Sequence, residues 1–123
     1  MIKISDAELE VMKVIWDKEK ATSVEIIGGL PDVTWNYNTI RTLIKRLLVK
    51  GAIEITKKEG KTYTYRATIA KEDYKVDVVR KLLKKLYRDS FSELVLEYCE
   101  SGEVTESEMK QIAKGMNDIA NQK

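Results

Sequence analysis

The 123-residue chain has no histidine, one cysteine, one proline and one phenylalanine. Without histidine, His-based metal sites and His general-base catalysis are excluded. A lone cysteine, Cys99, closes no internal disulfide and forms no Cys-x-x-Cys motif. Long hydrophobic runs are missing too. Val14-Ile15-Trp16 is typical of the runs present, whereas a membrane helix needs about 20 consecutive apolar residues. The opening Met1-Ile2-Lys3-Ile4-Ser5-Asp6 has no apolar signal-peptide stretch. There is no Gly-rich phosphate loop. Carboxylate pairs such as Glu93 and Glu97 are what an exposed acidic helix carries, so no catalytic residue is assigned. The expectation is a cytoplasmic protein that is not an enzyme, with no cofactor and no metal.

What is present is a globular composition, 43% apolar and 34% charged, which is too apolar for a disordered chain. The net charge of +2 hides an asymmetry. From Trp35 to Arg66 there are eight basic residues and only two acids, Glu54 and Glu59. From Asp89 to Glu108 there are seven acids and no base. Such blocks suggest two parts with different partners, although solvated helix faces carry charge runs as well.

Ser5-x-x-Glu8 is a capping-box pattern and opens a first helix. Leu9, Met12 and Trp16, with Val11 and Ile15, put apolar side chains on one face, and Asp17 to Lys20 close the helix. Thr22-x-x-Glu25 opens a short second helix carrying Ile26, Ile27 and Leu30. Gly28-Gly29 weakens it and Pro31-Asp32 ends it. In the third helix Ile40, Leu43, Ile44, Leu47 and Leu48 form one stripe at about 100° per residue. Asn38, Arg41, Thr42, Lys45 and Val49 fall opposite, with Thr39 and Arg46 flanking. Asn36 is the expected N-cap and Gly51 the expected C-terminal glycine.

Ile53 to Lys58 and Lys61 to Arg66 alternate as strands, with Glu59-Gly60 as the expected turn. Three helices followed by a basic hairpin is the order of a winged helix-turn-helix. Beyond Ile69 the pattern is helical, with three apolar stripes. Val76, Val79, Leu83 and Leu86 make the first. Phe91, Leu94, Val95, Tyr98 and Cys99 make the second. Met109, Ile112, Ala113, Met116 and Ile119 make the third, opened by Thr105-x-x-Glu108. Chains under about 60 residues bury too little to be stable alone, so these stripes are expected to interleave with a second copy. The expected dimer contacts are Val79, Leu83, Leu86, Phe91, Leu94, Val95, Tyr98, Ile112 and Met116. The fold class is mostly α with a small β-hairpin. A winged-helix DNA-binding domain is expected over residues 1–70 and a three-helix dimerisation domain over 71–123.

A DNA duplex carries one phosphate charge per about 1.7 Å, and its major groove admits one α-helix. The third helix suits both properties. Arg41 can pair bidentately with guanine O6 and N7, and Asn38 can read adenine. Thr39 can bond a phosphate, and Thr42 can touch a thymine methyl or a phosphate. Lys45 and Arg46 suit backbone clamps. Lys57, Lys58 and Lys61 of the hairpin suit phosphates as point charges, and edge-strand lysines also block aggregation. Tyr63 and Tyr65 are expected under the wing, and Trp16 and Trp35 as core anchors. Cys99 reads as a small buried hydrophobe.

The stretches Ser5 to Trp16, Thr39 to Leu47 and Ser92 to Leu96 resemble the BlaI/MecI/CopY family of bacterial transcriptional repressors. The patterns that carry the likeness are "E-x-x-VM-x-x-IW" and "TIRTL-x-x-RL". The resemblance implies a winged-helix homodimer, joined through its C-terminal helices, on a dyad-symmetric double-stranded DNA operator of β-lactam resistance genes. It places operator contacts at Asn38, Thr39, Arg41 and Thr42, with asparagine at position 38 where the familiar repressors have lysine. It also implies inactivation by a membrane sensor protease, with Glu97-Tyr98 aligned to the family's cleaved Asn-Phe bond. The cysteine cluster of the copper-responsive branch is missing. The departures at Asn38 and Glu97 leave open a different regulon with another inducing signal. A winged-helix protein-interaction module is the rival reading, with the acidic block recruiting a basic partner.

Overall fold

The computed structural model describes residues 2–30 and 34–122. Its first helix, α1 (Asp6–Lys18), begins where the capping box requires. The Ser5 Oγ accepts the Glu8 N–H at 3.2 Å, and Glu8 Oε1 accepts the Ser5 N–H at 2.9 Å. A short strand β1 (Ala21–Thr22) then leads into α2 (Ser23–Gly28). Thr22 and Glu25 cap α2 with the same reciprocal pair of bonds. The expected stop at Pro31-Asp32 lies outside the described residues; α2 itself ends at Gly28. Gly29 has a packing reason: a Cβ there would sit 2.7 Å from Val14 Cγ1, so only glycine lets α2 close on α1.

Helix α3 (Tyr37–Lys50) is capped by Asn36 and stopped at Gly51, whose φ of +78° suits glycine. Its apolar stripe is covered: Ile40, Leu43, Ile44 and Leu47 pack with Val11, Met12 and Ile15 of α1 and with Ile26. Burial of these side chains stabilises the domain by about 1.5–3 kcal/mol each before entropic costs. The stripe forms because the opposite face holds only polar, charged and one valine side chain, so one orientation buries apolar surface without stranding a charge.

The hairpin strands are β2 (Ile53–Glu59) and β3 (Thr62–Ala67). Three sequence expectations are corrected here. The sheet has three antiparallel strands in the order β1-β3-β2, because Ala21 and Thr22 pair with Tyr65 and Thr64. Two residues are too few to show a strand period. The turn is Gly60-Lys61 rather than Glu59-Gly60, since Glu59 pairs with Thr62 and Gly60 takes φ +61°. The alternation is also broken: the register passes from Ile55↔Tyr65 to Lys57↔Thr64, so Thr56 is an extra residue. A bulge of this kind bends and twists its strand.

Trp16 and Trp35 are half-buried against the core. The Trp16 indole N–H donates to the Ile69 carbonyl at 2.9 Å, and its ring lies 5.6 Å from that of Tyr74. These contacts hold the beginning of α4 (Lys71–Leu86) to α1. The chain divides into two compact units, the first ending at Asp77 and the second starting at Val78, so the division falls inside α4.

The second unit contains the rest of α4, then α5 (Phe91–Glu100) and α6 (Glu106–Asn121). Arg88 and Asp89, with φ of +51° and +66°, turn the chain between α4 and α5. Ser90 caps α5 by accepting the Glu93 N–H, and Thr105 caps α6 by accepting the Glu108 N–H. Among the described residues, neither helix has a fully buried side chain, and Val104 is the unit's buried hydrophobic residue. No helix among the described residues is long and apolar enough to cross a membrane.

Candidate nucleic-acid interface

The polar face of α3 stands outside the core. Asn38, Thr39, Arg41, Thr42, Lys45 and Arg46 are all exposed. A cleft of about 630 Å³ runs between this face and the wing. It gathers Asn38, Arg41, Thr42 and Lys45 with Lys61 from the hairpin tip. Thr39, Arg46, Lys57 and Lys58 are exposed outside its lining. Two residues in it have no part in the sequence expectations, Ser23 at the start of α2 and Tyr37 at the start of α3, and Tyr63, expected under the wing, lines it as well. Of these, Tyr37 carried a legible signal, because it lies four residues before Arg41, on the same helix face.

Local hydrogen bonds define what each side chain can offer. Asn36 Oδ1 accepts from the Thr39 N–H at 2.9 Å and from the Thr39 hydroxyl at 3.1 Å. The Thr42 hydroxyl donates to the Asn38 carbonyl at 2.9 Å. Both threonines therefore spend their only hydroxyl proton inside the helix. A phosphate oxygen accepts and does not donate, so Thr42 can serve one only by giving up that bond. Its methyl group stays available for apolar contact.

The charges sort themselves as clearly. Lys50 pairs with the buried Glu8 and also donates to the Lys3 carbonyl at 2.9 Å. Lys57 pairs with Glu59 at 2.6 Å and Arg66 with Glu54 at 2.5 Å. The two acids of the basic block are thus taken up along the hairpin. Arg41, Lys45, Arg46, Lys58 and Lys61 form no salt bridge among the described residues. Two cations instead lie over aromatic rings: Arg41 Cζ is 5.6 Å from the Tyr37 ring centre and Lys58 Nζ 5.3 Å from that of Tyr63. Tyr65 is buried beneath, while Tyr63, two residues away on the same face of β3, is more exposed than the sequence pattern predicts. Burial and the neighbouring Tyr63 push the Tyr65 phenol above the usual range, so it stays protonated and adds no anion to the cleft.

Elsewhere, Cys99 is a half-buried free thiol, and among the described residues no three His, Cys, Asp or Glu side chains gather as a metal site. The expected cleavage pair, Glu97 and Tyr98, is exposed in the last turn of α5, where Glu97 accepts the Tyr87 hydroxyl at 3.4 Å. The expected dimer residues fall into two groups. Val79, Leu86, Phe91, Tyr98 and Met116 are exposed, and Leu83, Leu94, Val95 and Ile112 are half-buried within the unit. Val78, Leu96 and Ile119 are further exposed apolar side chains.

These features can be set beside known proteins. The penicillinase repressor family profile matches residues 4–118. The methicillin resistance regulatory protein MecI of Staphylococcus aureus strain N315 is 34% identical over 116 residues, 94% of each chain. The penicillinase repressor of Bacillus licheniformis is 34% identical over 122 residues, covering 98% of this chain and 94% of that one. The solution structure of monomeric Bacillus licheniformis BlaI in complex with the blaP half-operator is similar over 60% of this chain and 92% of that one. Its identity is 45% and its TM-score 0.52. A winged-helix unit with an open cationic α3 face, and matches of this extent, place the chain in the penicillinase repressor family.

Proposed function

We propose that the chain is a homodimeric, sequence-specific transcriptional repressor acting in the cytoplasm on a dyad-symmetric DNA operator. The observation that carries this reading is the α3 face, where Arg41, Lys45 and Arg46 are exposed without acidic partners among the described residues. In this reading α3 enters the major groove, and Arg41 donates two N–H groups to guanine. Asn38 reads a neighbouring base, and Thr42 presents its methyl to thymine. Lys45 and Arg46 contact the backbone, Thr39 joins them by giving up its hydroxyl bond to Asn36, and the wing lays Lys57, Lys58 and Lys61 along phosphates. Residues 1–70 supply this reading head and 71–123 the dimer contacts. Two heads on one dyad convert the second contact into an intramolecular one, which raises affinity without any new chemistry. Bound over a promoter, such a dimer blocks transcription of the genes beyond it, here those of β-lactam resistance.

Release follows from the family resemblance: a membrane sensor protease cuts between Glu97 and Tyr98. A protease reads an extended chain, so α5 must unwind first. The lack of buried side chains in α5 within its own unit supports easy unwinding of an unpaired copy. Mapping fragment ends after incubation with the sensor's protease domain tests the bond directly.

The function is tested by a gel shift of the full chain on the DNA upstream of its own gene, against a shuffled duplex, over a salt series. The expected result is a sequence preference. The logarithm of affinity should fall against log salt by about 0.9 for each phosphate neutralised. Equal binding to both duplexes would favour a protein-interaction module.

A further inference from the structure

We propose that Tyr37 is the residue that aims Arg41 and so sets the base selectivity of the α3 face; this rests on the DNA-reading function proposed above. Tyr37 is half exposed, at the first position of α3, and Arg41 is one turn further along the same face. The guanidinium carbon lies 5.6 Å from the Tyr37 ring centre. Both side chains line the cleft that Lys61 reaches from the wing.

The chemistry of the partner matters more than the contact itself. An exposed arginine has many rotamers, and binding must select one of them. A carboxylate could hold it, but would occupy the same N–H edge that pairs with guanine. An aromatic ring attracts the guanidinium through the face of its π-system and leaves the in-plane donors free. The first turn of α3 contains no acidic residue, so Tyr37 restrains Arg41 there without competing for its hydrogen bonds. Tyr37 is a positioning residue: it acts through Arg41 and needs no contact of its own with a base.

The test uses the full chain and a duplex selected by the wild-type protein from a randomised pool, with its single base-pair variants. Tyr37→Ala is expected to lower the preference for the guanine read by Arg41 about two- to five-fold, the size of an exposed cation–π contact. The other positions and the salt slope should not change. Tyr37→Phe keeps the ring and should retain wild-type preference. In the Arg41→Ala background, Tyr37→Ala should have no further effect. Loss of affinity on every duplex with a shallower salt slope would make Tyr37 a phosphate contact and overturn the proposal. So would a Tyr37→Phe variant that behaves like Tyr37→Ala. If wild-type protein enriches no sequence from the pool, the DNA-reading function fails first and this role with it. If it enriches one and Tyr37→Ala keeps full preference, the positioning role alone fails.

Discussion

The two units use the same building block, an amphipathic helix, with opposite results. In the first, the stripe of α3 is closed over by α1, the end of α2 and the sheet, and Leu47 and Ile15 are wholly buried. In the second, α6 has an equally regular stripe, yet Met116 is 42% exposed and Ile119 62%. The difference lies in the number of layers. Residues 1–77 supply three helices and a sheet around one centre. The later residues supply too little chain to cover both sides of any helix. The exposed surfaces differ accordingly. The first unit shows water a polar, cationic face that suits a polyanion. The second shows apolar side chains beside an acidic stretch.

The comparison breaks hardest at Leu86, 63% exposed at the end of α4. In a lone protomer Leu86→Asp is a surface change, worth within about 0.5 kcal/mol. In the proposed dimer it places a carboxylate in an apolar seam. The expected outcome is a monomer by sedimentation and an operator affinity lowered about 10²- to 10⁴-fold through lost bivalency. A variant that stays dimeric removes Leu86 from the interface. Leu47→Ala probes the other unit. It opens a cavity in a closed core and should cost about 2–5 kcal/mol in a urea titration, at any protein concentration. Leu86→Ala, by contrast, should fall furthest below wild type at high protein concentration and converge with it on dilution into monomers, because dimer stability follows mass action.

Arg41→Ala comes next in size. It should cost about 1–3 kcal/mol on the preferred duplex and relax preference at one base pair. A uniform loss on all duplexes would instead make Arg41 a backbone clamp.

The sequence patterns reach the caps and the buried stripe of α3, because those determinants are local. The Asn36 cap lies three residues from the N–H it accepts, the stripe recurs every turn, and Gly51 stops the helix in a conformation glycine favours. What they miss depends on residues distant in the chain. Strand β1 exists because Ala21 and Thr22 meet β3, more than 40 residues later. The extra residue at Thr56 is fixed by pairing across the hairpin, which a run of alternating side chains does not record. Tyr37 lies between these cases: its spacing to Arg41 was readable, but only the structure shows the guanidinium over the ring. The C-terminal stripes are readable in the sequence as surplus apolar surface, and Leu86, Phe91, Tyr98 and Met116 are exposed in the fold.

The smallest effect belongs to Glu8, which the capping box explains only in part. It is buried, and it joins α1 to the far end of α3 through Lys50, 42 residues away. Burial alone would raise its pKa. The hydrogen bonds from Lys50 and Ser5, with the Lys50 charge, outweigh burial and hold the carboxyl below its ordinary value of 4.5. A carboxyl that ionises more readily when folded stabilises the protein in full above the unfolded value. That contribution fades as pH falls through the lower, folded one. Glu8→Gln keeps the oxygen that accepts the Ser5 N–H but loses the charge facing Lys50. It should be less stable than wild type at neutral pH, and the gap should close on acidification from about pH 4.5 downward. Urea midpoints between pH 7 and pH 3 measure this. A gap that stays constant across that range would mean the Lys50 pair contributes shape and not charge, and that the first unit's core stands without an ionic tie between its two longest helices.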